Sequence, residues 1–201
     1  NTILKLKHMQ VLIKDLKNHL GETVEINGWV SNLRSSGKIA FWQVRDGSGF
    51  AQAVLSSDNL NEEKWALVNS VTQESSVQIS AEVTKHPKKE EYELQVSDLK
   101  IYQISEEWPI GNKDHGIDFL MDNRHLWLRA KRQWAIQRVR NTLIQATYQY
   151  FGSHDFTKID SPILTPNAGE NTTDLFRVKY FDEEAYLSQT GQLYLEAALP
   201  A

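Results

Sequence analysis

Two runs with a period of two, "IAFWQVR" at 39–45 and "FAQAVL" at 50–55, stand on either side of "DGSG" at 46–49. Alternating segments joined by a short Gly-rich turn form a hairpin, so this stretch commits the chain to antiparallel β-structure. In the first run Ala40, Trp42 and Val44 point one way, and Ile39, Phe41, Gln43 and Arg45 the other. In the second, Phe50, Gln52 and Val54 share a side. One surface of the hairpin therefore carries an aromatic ring among polar groups, a combination a purely structural sheet has little use for.

The same period recurs upstream, where Val24, Ile26, Gly28 and Val30 alternate with Glu25, Asn27 and Trp29. It recurs again around 76–84 and 92–104, separated by the turn "KHPKKEE". Between the third and fourth strands, "NLNEEKWALVNSV" puts Leu60, Trp65 and Val68 on one helical face. Five short strands with a helix in that position follow the order of an OB barrel, and residues 20–104 have a suitable size. Residues 1–19 form an N-terminal extension in which Ile3, Leu6, Met9, Ile13 and Leu16 fall near helical spacing.

"SEEWPIGNKDHGID" (105–118) mixes Pro109, Gly111 and Gly116 with charges and reads as a hinge or linker. A second region, 119–201, opens with a helix expected over 124–151, with Ile136, Val139, Leu143, Ala146 and Tyr150 along one stripe and Gly152 as its stop. "FTKIDSPIL" then reads as a strand carrying Pro162, "TPNAGENTTDLF" as a loop, "RVKYFDEEAYLSQ" as a hairpin and "GQLYLEAAL" as a helix start. The expected fold class is α+β.

Composition removes several kinds of function. A formal net charge of -4 makes the whole chain no general polyanion binder, so nucleic-acid contact has to come from local patches. The absence of cysteine excludes disulfides, thiolate-bound zinc and a thiol nucleophile. The six histidines are scattered without metal-ligand spacing, so no metal site is expected. "SSGK" lacks the upstream glycine of a phosphate loop and precedes a strand rather than a helix. No apolar run approaches membrane-spanning length, and a cytoplasmic protein is expected.

Two basic or aromatic features remain. Between Asn123 and His154 there is no acidic residue, while Arg124, Arg129, Lys131, Arg132, Arg138 and Arg140 are cationic. That set fits RNA phosphates, and equally a solvated face or partners for an acidic neighbour. On the barrel, Phe41, Gln52 and the nearby Arg34 suit an unpaired base: the ring stacks, the amide reads the Watson–Crick edge, and the cation holds phosphate. The plainer alternative packs Phe41 under a loop and leaves Gln52 as a solvated strand residue.

Four stretches carry a family likeness: "VEINGWVSNLRSSGKIAFWQVRDGSGFAQ", "DHGIDFLMDNRHLWLR", "FTKIDSPIL" and "YLSQTGQLYLEAAL". In this order they resemble the asparaginyl-tRNA synthetases of bacterial type, members of class IIb, from about residue 20 to the end. The resemblance implies an anticodon-binding OB barrel, a hinge, and the first part of an antiparallel α/β catalytic domain. It implies that Phe41 stacks on the middle uridine of the anticodon, that Gln52 hydrogen-bonds it, and that Arg34 contacts the anticodon loop. The helix 124–151 and the strand ending at Pro162 resemble motif 1, whose usual task is a homodimer interface.

The same resemblance makes "NAGENTT" the loop that closes over the amino acid, with Glu170 holding its α-ammonium. Asn171 stands where the family usually has glycine, a departure that asparagine's tolerance of left-handed backbone softens. Gln192 falls where a glutamine assists amino-group binding, and Leu195 where aspartyl enzymes place a lysine. The motif 2 and motif 3 arginines have no counterpart in these 201 residues. The expectation is therefore a fragment that is inactive alone and holds no cofactor. The complete protein would use ATP and Mg2+ to activate asparagine and would transfer it to tRNA(Asn). An aspartyl enzyme of relaxed specificity and a non-catalytic tRNA-binding fragment are the alternatives. An amino-acid ligase of the asparagine-synthetase kind is disfavoured because it lacks the barrel.

Overall fold

The computed structural model describes residues 9–111, 113–166 and 175–200. The chain divides into two compact units, Asn1–His115 and Gly116–Ala201. The first unit contains β1 (Met9–Gln10), a 3-10 helix (Ile13–Asn18), β2 (Thr23–Ser36), β3 (Ile39–Arg45), β4 (Phe50–Ser56), α1 (Glu62–Ser70), β5 (Ser76–Lys85) and β6 (Tyr92–Gln103). The strands run in the order β1-β2-β3-β4-β6-β5, and β5 pairs back onto β2. That last pairing closes the sheet into the five-stranded OB barrel that the strand order predicts, leaving no long edge among β2–β6.

Closure depends on the length of β2, whose first half pairs with β5 and whose second half pairs with β3. The strand passes from one partner to the other at Trp29, and its pairing with β3 then shifts register between Val30 and Asn32, where the Ser31 hydroxyl donates to the Gln43 carbonyl at 2.9 Å. Just before it, a Cβ at Gly28 would stand 2.5 Å from the Arg45 carbonyl oxygen, so only glycine admits this approach. Trp42, Ile26, Leu55, Ile79 and Leu94 fill the interior at 1 % exposure or less. Helix α1 buries Val68 in the barrel's core, with Leu60 just before the helix buried as well and Trp65 packed against the same core, as the apolar spacing predicts. Asn61 caps it, accepting the Lys64 N–H at 2.9 Å.

The segment before residue 20 is not the helix that its spacing suggests. Met9 pairs with Val24 in parallel, and Val11, Ile13 and Leu16 enter the same core as the barrel strands. The hairpin turn holds them there. Asp46 Oδ1 accepts the Ser48 N–H at 2.9 Å and the Ser48 hydroxyl at 2.7 Å, while Oδ2 accepts the Ile13 N–H at 2.7 Å. A single carboxylate thus shapes the turn and anchors the 3-10 helix. Ile3 and Leu6 lie outside the described residues.

One strand position has surroundings that its parity does not reveal. Arg45 has the parity of Phe41 and Gln43 but is buried, and both of its terminal nitrogens donate to Glu74 at 2.8 Å. The loop after α1 covers this end of β3, so a residue on the Phe41 side of the strand is sealed from solvent here. Glu74 takes a left-handed backbone (φ 69°), and the Trp29 ring lies 5.8 Å from the Arg45 guanidinium.

The second unit contains α2 (Ile117–Asp122), α3 (Arg124–Trp127), α4 (Lys131–Gly152), β7 (Leu164–Thr165), β8 (Arg177–Tyr180), β9 (Glu183–Leu187) and α5 (Gln192–Ala198). The helix expected over 124–151 is broken at 128–130, because its apolar stripe begins only at Ile136 and specifies no start. It ends at Gly152, one residue past the expected 151, although that glycine is not itself left-handed. The left-handed residue is Asp155 (φ 64°), after which the Phe156 N–H donates to the Phe151 carbonyl at 3.1 Å. Phe151 and Phe156 meet edge to face with centroids 5.2 Å apart, which is the hydrophobic contact of a Schellman ending.

The strand expected through Pro162 shrinks to Leu164–Thr165, since proline has no N–H to give a ladder. The hairpin β8–β9 and the helix at 192 form as expected, and the sheet order is β7-β9-β8, all antiparallel. Among the described residues of this unit only Thr165 and Ala185 are buried.

Candidate functional site

The barrel's polar surface is organised by register. Asn32 lies opposite Gln43, Gln43 opposite Gln52, Gln52 opposite Glu93, and Glu93 opposite Thr84. Opposed residues in a sheet project from the same face, so five strands contribute one continuous polar rung. One step along, Arg34 lies opposite Phe41 and Phe41 opposite Val54. The structure therefore brings Arg34, Phe41 and Gln52 onto one surface, with Phe41 and Gln52 as diagonal neighbours. The Arg34 guanidinium sits 4.7 Å from the Phe41 ring centroid, a cation–π contact that holds the charge beside the aromatic platform.

Gln52 is not a free strand amide. Its Nε2 donates to Glu93 Oε1 at 2.6 Å. Since an ionised carboxylate only accepts, this contact assigns nitrogen to the Glu93 side of the amide and leaves the carbonyl oxygen turned away. Glu93 is 7 % exposed, roofed by the 86–91 loop that the His86 N–H closes on the Glu91 carbonyl at 2.8 Å. His86 Nε2 lies 3.5 Å from the same Glu93 oxygen. Gln43, Phe50, Gln52, His86 and Tyr92 line a cleft of about 290 Å³ beside the rung. A flat ring and a cation on the same face as a directed amide can stack an unpaired base, hold its phosphate and read its edge.

Glu93 and His86 were invisible to pattern reading. Glu93 reaches Gln52 through a parallel β4–β6 pairing that joins residues 41 positions apart, and no local period signals it.

In the second unit, Glu170 and Asn171 lie outside the described residues. Gln192 begins α5, where its Nε2 donates to Glu196 Oε1 at 2.8 Å, one turn along its own helix. Leu195 is half exposed on that helix. A Cβ at Gly191 would stand 2.5 Å from the Ser161 hydroxyl, so the turn before α5 packs directly on the segment carrying Pro162. Ser161, Pro162, Leu187, Ser188 and Thr190 line a cleft of about 440 Å³ there. Of the basic helix, Arg138 lies over Trp134 of the same helix, 4.7 Å from its ring. Among the described residues no group of three or more His, Asp or Glu could hold a metal, and no helix is long and apolar enough to cross a membrane.

Residues 24–102 match the OB-fold nucleic acid binding domain, and residues 116–201 match the tRNA synthetases class II (D, K and N). Among solved structures, the chain is similar to asparaginyl-tRNA synthetase from Pyrococcus horikoshii complexed with asparaginyl-adenylate, at 34% identity over 94% of this chain and 45% of that one, with a TM-score of 0.86. Asparaginyl-tRNA synthetase from Entamoeba histolytica, also in complex with asparaginyl-adenylate, is 29% identical over 90% of this chain and 43% of its own, with a TM-score of 0.76. A structure provisionally assigned as an aspartyl-tRNA synthetase, from Leishmania major Friedlin, is 25% identical over 99% of this chain and 42% of its own, with a TM-score of 0.79. The chain thus spans less than half the length of the proteins it matches.

Proposed function

We propose, given that this chain belongs to the class II tRNA synthetases of the D, K and N family, that the complete protein is an asparagine–tRNA ligase of the cytoplasm. Its barrel reads the anticodon of tRNA(Asn). The observation that carries the reading is the arrangement of Arg34 over Phe41 beside a Gln52 whose amide nitrogen is held by Glu93. Phe41 stacks on the central uridine, and Gln52 Oε1 accepts the N3–H of that uracil. Arg34 turns from the ring to phosphate. ATP and Mg2+ are substrate and metal of the complete protein, and the exposed stripe of α4 that includes Val139 and Leu143 is its homodimer contact.

Binding of an anticodon stem-loop RNA with a central uridine tests the barrel reading. Phe41→Ala should weaken it by about 1–3 kcal/mol, the usual value of one aromatic–base stack. An unchanged Kd would refute the stacking assignment.

The choice of asparagine rests on Leu195, where an aspartate-specific site would need a cation. A substrate carboxylate buried against leucine has no counter-charge, whereas a neutral amide needs only hydrogen bonds. Gln192, with Glu170 in the closing loop, serves the amino group. The aspartyl alternative is favoured by the Leishmania likeness, which spans 99% of this chain. Pyrophosphate exchange by the complete enzyme separates the two. We expect exchange with asparagine far above that with aspartate, and Leu195→Lys to erode asparagine use. Equal exchange with both amino acids would favour the aspartyl reading.

A further inference from the structure

We propose that His86 is a positioning residue for base selection, acting through Glu93 on the amide of Gln52. The inference rests on the reading that Phe41 and Gln52 contact the central anticodon base. Its starting point is the state of the imidazole. The Lys88 backbone N–H donates to His86 Nδ1 at 3.0 Å, so that nitrogen presents its lone pair and the neutral ring carries its proton on Nε2. Nε2 lies 3.5 Å from Glu93 Oε1, too long for a hydrogen bond but close enough for its N–H dipole to act on the oxygen that accepts from Gln52.

The consequence is directional. A Glu93 carboxylate buried to 7 % exposure has few rotamers left, and an N–H dipole on one side of Oε1 biases it toward the observed one. In that position it captures the Gln52 nitrogen and leaves the Gln52 oxygen outward. Rotation of the Gln52 amide by half a turn would set oxygen against carboxylate, which repulsion forbids. The outward group is therefore an acceptor. It suits a base with an N–H at the centre of its Watson–Crick edge, as uracil has, and it repels cytosine, whose N3 is itself an acceptor.

Without the imidazole, Glu93 can swing within the cleft toward the hydroxyl of Thr84, whose Oγ1 is buried and has no hydrogen-bond partner among the described residues. Thr84 lies directly opposite Glu93 in the ladder. Gln52 would then lose its anchor and present either end of its amide. Selection between uracil and cytosine would fall while stacking on Phe41 persisted.

The test uses the 201-residue chain and two synthetic anticodon stem-loop RNAs that differ only in a central U or C. The unaltered chain should bind the U loop about tenfold more tightly, the scale of one mismatched contact. His86→Leu should reduce that ratio to about twofold or less, mainly by tightening the C loop relative to the U loop. His86→Gln, which can accept from Lys88 and donate to Glu93, should retain most of it. A full ratio in a folded His86→Leu variant overturns the proposal. So does its loss in His86→Gln, and that variant decides the matter alone if His86→Leu does not fold. Gln52→Ala separates the layers. A ratio that survives Gln52→Ala overturns the base-contact reading itself, whereas a ratio lost there but kept in His86→Leu overturns only the role of His86.

Discussion

Trp42 and Val139 both sit on apolar stripes with clean periodicity, yet they end in opposite surroundings. Trp42 is 1 % exposed inside the barrel, and Val139 is 59 % exposed on the long helix of the second unit. The barrel covers its own apolar face because β5 returns to β2 and α1 buries Val68 in the core. No such return exists among the described residues of the second unit, where a 22-residue helix stands beside a three-stranded sheet. Periodicity records which side of an element is apolar; it does not record what covers that side.

The largest effects should therefore fall in the first unit. Trp42→Ala should destabilise the barrel by about 3–5 kcal/mol, while Val139→Ala should shift stability by no more than about 0.5 kcal/mol in the isolated chain. Urea unfolding followed at barrel and helix separately would show the contrast. Equal costs would mean that α4 is covered after all and that the comparison fails.

A comparable loss is expected from Arg45→Met, because the Glu74 carboxylate, only 3 % exposed, would keep its burial and lose its partner. Removing one member of such a pair costs about 3–5 kcal/mol. Replacing both, as Arg45→Met with Glu74→Leu, should recover most of it, and a double variant no more stable than the single would show that the pair's geometry matters beyond its charge.

The smallest expected effect lies on the second unit's surface. Lys158 donates to Asp160 at 2.5 Å, and this hydrogen bond raises the lysine pKa above its ordinary value. A raised pKa favours the folded state below the ordinary lysine range, and that contribution is lost as pH rises through the folded value. The ammonium is fully exposed, so the visible consequence is a late titration rather than a stability change. NMR titration should find Lys158 charged to higher pH than other surface lysines, and Asp160→Asn should abolish the difference.

The strands of the barrel, its hairpin and α1 were legible because each is governed by local spacing: alternation with a turn, or three apolar residues on one helical face. So was the pairing of Phe41 with a polar neighbour on one face, since strand parity and turn position suffice to place them together. The beginning of α4 was not legible, whereas its end falls within one residue of the expected one. Its stripe begins five residues after the helix does, and the left-handed residue of the turn that follows Gly152 is Asp155. The strand through Pro162 failed for a chemical reason, the missing N–H, that was visible in the sequence and outweighed by its apolar neighbours.

What the sequence alone determined is the set of groups available to the candidate site: an aromatic, a cation and an amide at strand positions of matching parity. Tertiary structure decided how those groups are presented. Arg45 shares the parity of Phe41 but is sealed beneath the loop that carries Glu74. Gln52 acquires a fixed amide orientation only because β6 comes to lie beside β4 and delivers Glu93. Both outcomes depend on which distant strand becomes a neighbour when the barrel closes, and closure is a property of the whole sheet that no local window of sequence contains.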